Sequence, residues 1–172
     1  MCLFENLPFS LFSRELALPF GDPMPPIHVL FVTYEFTFSP FSGNGMLSRS
    51  AVKALLSHGC TVTVLCCQPG PGVATADSHI EPPEVTSEAA SRLMIHPITL
   101  TDADGWRRLD RECAWQKFSS GAAALTATLA ASEADVVLTV DWSGGAAWRA
   151  ACAAWPEGAT PPPPLTFAPY RV

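Results

Sequence analysis

Two rhythms of apolar residues alternate along this chain. Residues 27–32 (IHVLFV), 61–67 (TVTVLCC) and 134–140 (ADVVLTV) are nearly unbroken apolar runs, the pattern of strands buried on both faces of a parallel sheet. Residues 92–98 (RLMIHPI) predict a further strand, which Pro97 assigns to an edge or an early stop because proline cannot donate to a ladder. Residues 165–168 open a fifth. Between these runs the period changes to that of a helix. Over residues 46–58, Leu47, Ala51, Ala54 and Leu55 share one face while Arg49, Lys53 and Ser57 fall elsewhere. Gly59 suits the position just past that helix, and His58 suits its negative end. Residues 104–131 carry Trp106, Leu109, Cys113, Phe118, Leu125 and Leu129 on one kinked helix or two, with the interruption expected at Ser119-Ser120-Gly121. After Asp141-Trp142-Ser143-Gly144-Gly145 an alanine-rich helix runs to about Trp155-Pro156.

Strand, loop, helix, glycine and strand over residues 27–68 make a βαβ unit with a right-handed crossover, so the fold class is α/β, a parallel sheet flanked by helices. Residues 27–172 read as one such domain. Residues 1–26, broken by Pro8, Pro19, Pro23, Pro25 and Pro26, read as an irregular lead-in, and residues 68–90 as a long surface excursion. The fifth strand opens without its returning helix, which gives the expectation of a domain cut off inside its fold.

Composition narrows the partners. A chain 48% hydrophobic and 15% charged folds around a core. A net charge of −6 gives no electrostatic footprint for nucleic acid or an anionic membrane. No apolar run reaches the roughly 18 residues of a spanning helix, and the opening MCLFENLPFSLF lacks a basic segment and is broken by Glu5 and Pro8. The six cysteines show no CxxC spacing and read as buried free thiols, with Cys66 and Cys67 on opposite faces of one strand. A reducing, cytoplasmic setting is the expectation. His28, His79 and His96 receive no ligand role.

In open parallel sheets, ligands bind beyond the carboxyl ends of the strands, where residues 33–45, 141–145 and the excursion after Gln68 converge. Gly43-Asn44-Gly45 reads either as an anion cradle, whose backbone N–H groups approach an oxyanion at a helix start, or as a plain turn. Asp141 reads either as an acceptor for ligand hydroxyls or as a helix N-cap, and Trp142 as a platform for a sugar ring or as core packing. Glu35, at the end of the first strand, is either a second polar ligand group or an exposed loop residue. A dinucleotide site fails on these residues. About ten residues separate the strand from Gly43, Ser48 stands where the third glycine belongs, and Cys67-Gln68 closes the second strand without an acid. No GKS or GKT supports a Walker loop. No catalytic group or metal cluster can be assigned by spacing.

Taken together, HVLFVTYEF, SPFSGNGMLSRSAVKALLSHGCTVTVL and DVVLTVDWSGG resemble the N-terminal half of the retaining GT-B glycosyltransferases, the group that includes glycogen and starch synthases and sucrose synthase. The positions that match are Glu35, Gly43 with Gly45, and Asp141 with Trp142. Val140 stands where that group usually has histidine, and the Gly43 loop lacks the lysine of the glycogen synthase branch. The resemblance implies a Rossmann-like domain on the acceptor side of a hexosyltransferase that works without a metal. Gly43, Asn44 and Gly45 would face the donor phosphates, and Glu35, Asp141 and Trp142 the sugar or acceptor. The donor, a nucleotide-sugar such as UDP-glucose or ADP-glucose, would be held mainly by a second domain. Without that domain, supplied by the same or a partner chain, these residues would not turn over substrate. A different reading is a non-catalytic binding or scaffold domain that pairs through the sheet edge at residues 165–168.

Overall fold

The computed structural model describes residues 25–36, 43–69, 85–100 and 112–167. Five strands, β1 (His28–Val32), β2 (Thr61–Pro69), β3 (Leu93–Leu100), β4 (Val136–Thr139) and β5 (Leu165–Phe167), pair in the order β3-β2-β1-β4-β5. All four pairings are parallel. The unbroken apolar run of β1 has its cause here, since the strand has a neighbour on each side and residues 29–32 are buried. His28 is held by its surroundings: Asp135 accepts its N–H at 2.7 Å, and its Nε2 lies 2.8 Å from the Thr63 hydroxyl. Pro97 lies in edge strand β3, where a missing donor disturbs the ladder least.

The sheet is covered on both faces. Phe31, Val62, Val64 and Cys66 pack with Val52 and Leu56 of α1 (Gly43–Ser57) and Ala89 of α2 (Ser87–Ala90). On the other face, Leu30, Val32, Leu65, Cys67 and Val137 meet α3 (Glu112–Ala124), α4 (Thr126–Ala131) and α5 (Trp142–Ala153) through Phe118, Ala122, Leu129, Ala147 and Trp148. The period-2 alternation of β1 and β2 thus sorts neighbouring side chains into two cores and sends the adjacent thiols of Cys66 and Cys67 to opposite sides. Each fully buried aliphatic or aromatic side chain contributes about 1.5–3 kcal/mol. The result is a doubly wound, Rossmann-like α/β sheet. Among the described residues no helix is long and apolar enough to cross a membrane.

Helix α1 ends as its sequence predicts. Gly59 has φ +86°, its N–H donates to the Leu56 carbonyl and the Cys60 N–H to that of Leu55, which is a complete Schellman motif. Its start differs. The helix begins at Gly43, so Gly43-Asn44-Gly45 is its first turn and not a turn ahead of it. Glycine weakens a helix by about 1 kcal/mol; here the Glu35 carboxylate accepts the Gly45 N–H at 3.1 Å and offsets that loss.

The break between α3 and α4 also falls later than expected, at Leu125. Ser119, Ser120 and Gly121 continue the helix, and at Gly121 α3 lies so close to β3 that a Cβ would collide with Ile98. The lead-in (residues 1–24), residues 37–42, most of the excursion (70–84), residues 101–111 with Trp106 and Leu109, and residues 168–172 lie outside the described residues. So does the Cys113 side chain.

Gly144 is the tightest approach of helix to sheet. A Cβ there would run into the Val32 carbonyl oxygen and crowd Thr139, whereas one on Gly145 meets open space. Gly144→Ala therefore lowers the unfolding free energy by about 1–3 kcal/mol, while Gly145→Ala leaves it unchanged or raises it by up to about 1 kcal/mol. Urea midpoints measure both, and equal effects would refute this packing.

Burial also pushes the Cys66 thiol up from 9.0 to about 12, and raises that of Cys67. A folded-state value above the unfolded one means that the neutral thiol's contribution is complete below pH 9 and is lost as pH rises towards 12. Within that window each such thiol removes about 1.4 kcal/mol per pH unit. Cys66→Ala flattens the alkaline decline of stability by one such slope, and parallel curves for the two proteins would contradict the assignment.

Candidate functional site

The order β3-β2-β1-β4-β5 places a topological switch between β1 and β4, because the chain leaves β1 towards β2 and returns to the other side of it at β4. In open α/β sheets the crevice at such a point, beyond the carboxyl ends of the strands, is where ligands bind. Two short segments form it here, residues 33–36 after β1 and residues 140–143 after β4.

Residues 33–36 stay in register with β2 beyond the strand proper. The Thr33 N–H donates to the Leu65 carbonyl at 3.0 Å and the Cys67 N–H to that of Tyr34 at 3.2 Å. Tyr34 therefore turns to the α3 face, edge-on to Phe118 with centroids 5.6 Å apart, and Phe36 turns to the α1 face. Burial, with Cys67 and Glu35 adding to it, holds the Tyr34 phenol well above its ordinary value, so it is protonated at neutral pH. Glu35 is only 6% exposed and ties the end of β1 to the start of α1 through Gly45.

After β4, Asp141 caps α5. Its Oδ1 accepts the Gly144 N–H and the Ser143 hydroxyl, both at 2.6 Å, the short lengths of charge-assisted bonds. Its Oδ2 lies 3.3 Å from the Thr33 hydroxyl, which also sits 2.9 Å from Ser48 and 3.2 Å from the Glu35 carbonyl. Ser48 gives its own hydrogen to the Asn44 carbonyl at 2.8 Å. The single Thr33 hydrogen thus serves one of three neighbouring oxygens at a time. Through this hydroxyl the end of β1 is joined to α1 at Ser48 and to the cap of α5 at Asp141.

Above this network lies a depression of about 120 Å³ lined by Tyr34, Glu35, Asn44, Trp115, Asp141, Trp142 and Ser143. Four of the six residues expected at a site (Glu35, Asn44, Asp141 and Trp142) meet here. Gly45 stands behind Glu35 through its N–H, and Gly43 starts the helix without lining the depression. The structure also speaks to the structural side of the alternatives left open by sequence. Asp141 is an N-cap as well as a lining residue, Glu35 is buried and not an exposed loop residue, and Trp142 is 62% exposed and not core packing. Its ring meets that of Trp115 edge-on, with centroids 5.6 Å apart.

Sequence reasoning passed over Tyr34, Trp115, Ser143, Thr33 and Ser48. Trp115 shares a helix face with the buried Phe118 and Ala122, so by spacing it reads as core, whereas Thr33 and Ser48 were legible as polar residues beside buried runs. No such signal marks Tyr34 or Ser143.

The carboxyl groups of Glu35 and Asp141 stand at the two helix starts, whose partial positive charge favours an anion there. No lysine, arginine or histidine lines the depression among the described residues. Its donors and acceptors beside exposed indole faces suit a hydroxylated ring. Among the described residues no three His, Cys, Asp or Glu side chains group as a metal site would require. A larger open concavity of about 870 Å³, lined by Lys53, Gly59, Glu88 and Arg92 among others, lies at the amino ends of β2 and β3, the edge of the sheet away from the switch point.

The double acceptance at Asp141 Oδ1 makes this cap stronger than most. Asp141→Ala lowers stability by about 2 kcal/mol, and Asp141→Asn, which keeps an acceptor, by less; denaturant midpoints that fail to separate the two variants would contradict this. No protein-family model matches the chain, and no curated protein matches it at a significant level.

Proposed function

We propose that these residues form the acceptor-side domain of a GT-B glycosyltransferase, which moves a hexose from a nucleotide-sugar such as UDP-glucose or ADP-glucose to an acceptor hydroxyl. The observation that carries this reading is the meeting of Glu35, Asn44, Asp141 and Trp142 in one depression at the switch point of a parallel sheet. Trp142 and Trp115 offer apolar faces to a pyranose ring, while the carboxylates of Glu35 and Asp141 and the Asn44 amide offer acceptors and a donor to its hydroxyls. The volume suits part of a ligand, since whole small-molecule sites run to roughly 300–1,000 Å³.

In this reading the domain contributes position, holding an acceptor hydroxyl towards the sugar to be transferred. The donor lies mostly against a second domain, carried by the same polypeptide or a partner chain, which supplies positive charge for the leaving diphosphate. The free thiols of Cys60, Cys66, Cys67 and Cys152 favour a reducing compartment such as the cytoplasm.

A second reading, a binding or scaffold domain, is favoured by one observation. The edge strand β5 exposes Leu165 and Phe167 by 41% and 45%, a surface on which another strand can pair.

Titration of this chain with methyl α-glucopyranoside is expected to shift the indole signals of Trp115 and Trp142 at millimolar concentrations, and Trp142→Ala to weaken binding about 3–10-fold. UDP-glucose is expected to bind tightly only when a donor-binding domain is joined to the chain. Indole signals that ignore the glycoside, or micromolar binding of UDP-glucose by this chain alone, would overturn the proposal.

A further inference from the structure

The first turn of α1 presents the geometry expected of an anion cradle, but an anion is already there. Glu35 reaches across from the end of β1, ten residues earlier in sequence, and its Oε2 accepts the Gly45 N–H at 3.1 Å. Gly45 is the third residue of α1, and its N–H is one of the few that a phosphate at this helix start would use. The Glu35 side chain cannot drift away easily. It is buried, and the backbone on either side of it is held by Thr33, by the pairing of Tyr34 to β2 and by Phe36 in the core. The other helix start at the depression is filled in the same way, by Asp141 on α5.

We infer that Glu35 is the specificity-determining residue of this depression: by supplying the anion at the start of α1 from within the chain, it excludes phosphate and reserves the space for an uncharged, hydroxyl-bearing ring. This rests on the reading of the depression as the ligand site. It also revises one part of the sequence-based expectation, since Gly43, Asn44 and Gly45 then support Glu35 and do not hold donor phosphates directly. A diphosphate approaching Gly45 meets a carboxylate on the N–H that it needs, with a second carboxylate on the facing helix and no cationic side chain lining the depression among the described residues.

The test follows backbone amide signals while inorganic pyrophosphate and, separately, methyl α-glucopyranoside are added to the wild type, to Glu35→Gln and to Glu35→Ala. Glu35→Gln keeps an acceptor for Gly45 and removes the charge; Glu35→Ala removes both. Wild type is expected to leave its Gly45 amide unmoved by millimolar pyrophosphate. Both variants are expected to gain affinity for it by about tenfold or more, with Gly45 shifting and the gain shrinking as salt is added.

Saturable movement of Gly45 in the wild type, or folded variants without the gain, would overturn the inference. Should Glu35→Ala fail to fold, Glu35→Gln, which keeps an acceptor for Gly45, carries the test. The glycoside arm separates the two claims. If no glycoside binds but the variants gain pyrophosphate, the sugar-site reading fails and the role of Glu35 stands; the reverse pattern leaves the sugar site and removes Glu35 as its gatekeeper.

Discussion

The chain changes direction between β3 and β4, and the crevice at the carboxyl edge of the sheet follows from that change. From β1 it steps outward over α1 to β2 and over α2 to β3, then returns beneath the opposite face through α3 and α4 to β4 on the far side of β1. Reversing the direction of travel while moving to the opposite face keeps every crossover of one hand. It also sends α1 and α5 away from each other as they leave adjacent strands, so the first turns of the two helices diverge around a gap. Thr33 stands in that gap. Its hydroxyl touches Ser48 of α1 and the carboxylate that caps α5, so one side chain ties the helix layers on the two faces of the sheet.

Tight packing on one side of the gap makes the polar arrangement possible on the other. Gly144 lets α5 sit against the Val32 carbonyl, and that closeness brings Asp141 within reach of Thr33. A side chain at Gly144 would push α5 outward and stretch a contact that is already 3.3 Å long. Buried polar groups are costly when unpartnered and rigidifying when linked. Thr33, Ser48, Asp141 and Ser143 are linked, so the floor of the depression is held before any ligand arrives.

The fold was legible in the sequence because its central strands carry the strongest local signal available. A strand buried on both faces must be apolar throughout, and β1, β2 and β4 say so; Pro97 marked an edge, and Gly59 a helix end that the structure completes with two capping bonds. Long-range capping was not legible. Nothing in the local sequence of Gly43-Asn44-Gly45 reveals that a carboxylate from the segment after β1 accepts a hydrogen bond from the first turn of this helix, nor that Gly121 lets α3 close on Ile98 and does not break it. At the site, residue types at strand ends pointed to Glu35, Asp141 and Trp142. Trp115 joined them only through the docking of α3, a tertiary fact with no spacing to announce it.

The charges of the depression bear on how a transferase built on this domain would divide its work. Transfer from a nucleotide-sugar develops negative charge on the leaving diphosphate, and an enzyme gains rate by aiming positive groups at it. In the depression described here, the helix starts that would attract an anion are already occupied by Glu35 and Asp141. A surface of that kind does little for the leaving group and much for a ring of hydroxyls, whose O–H donors find carboxylate acceptors and whose apolar face finds indole. In a transferase of that kind, positioning and charge stabilisation would be separated in space, with position supplied from this sheet edge and positive charge from a second domain. The separation has a physical advantage. An acceptor subsite that repels phosphate holds its sugar without competition from the nucleotide product, so departure of the diphosphate and seating of the next acceptor do not contend for the same backbone N–H groups.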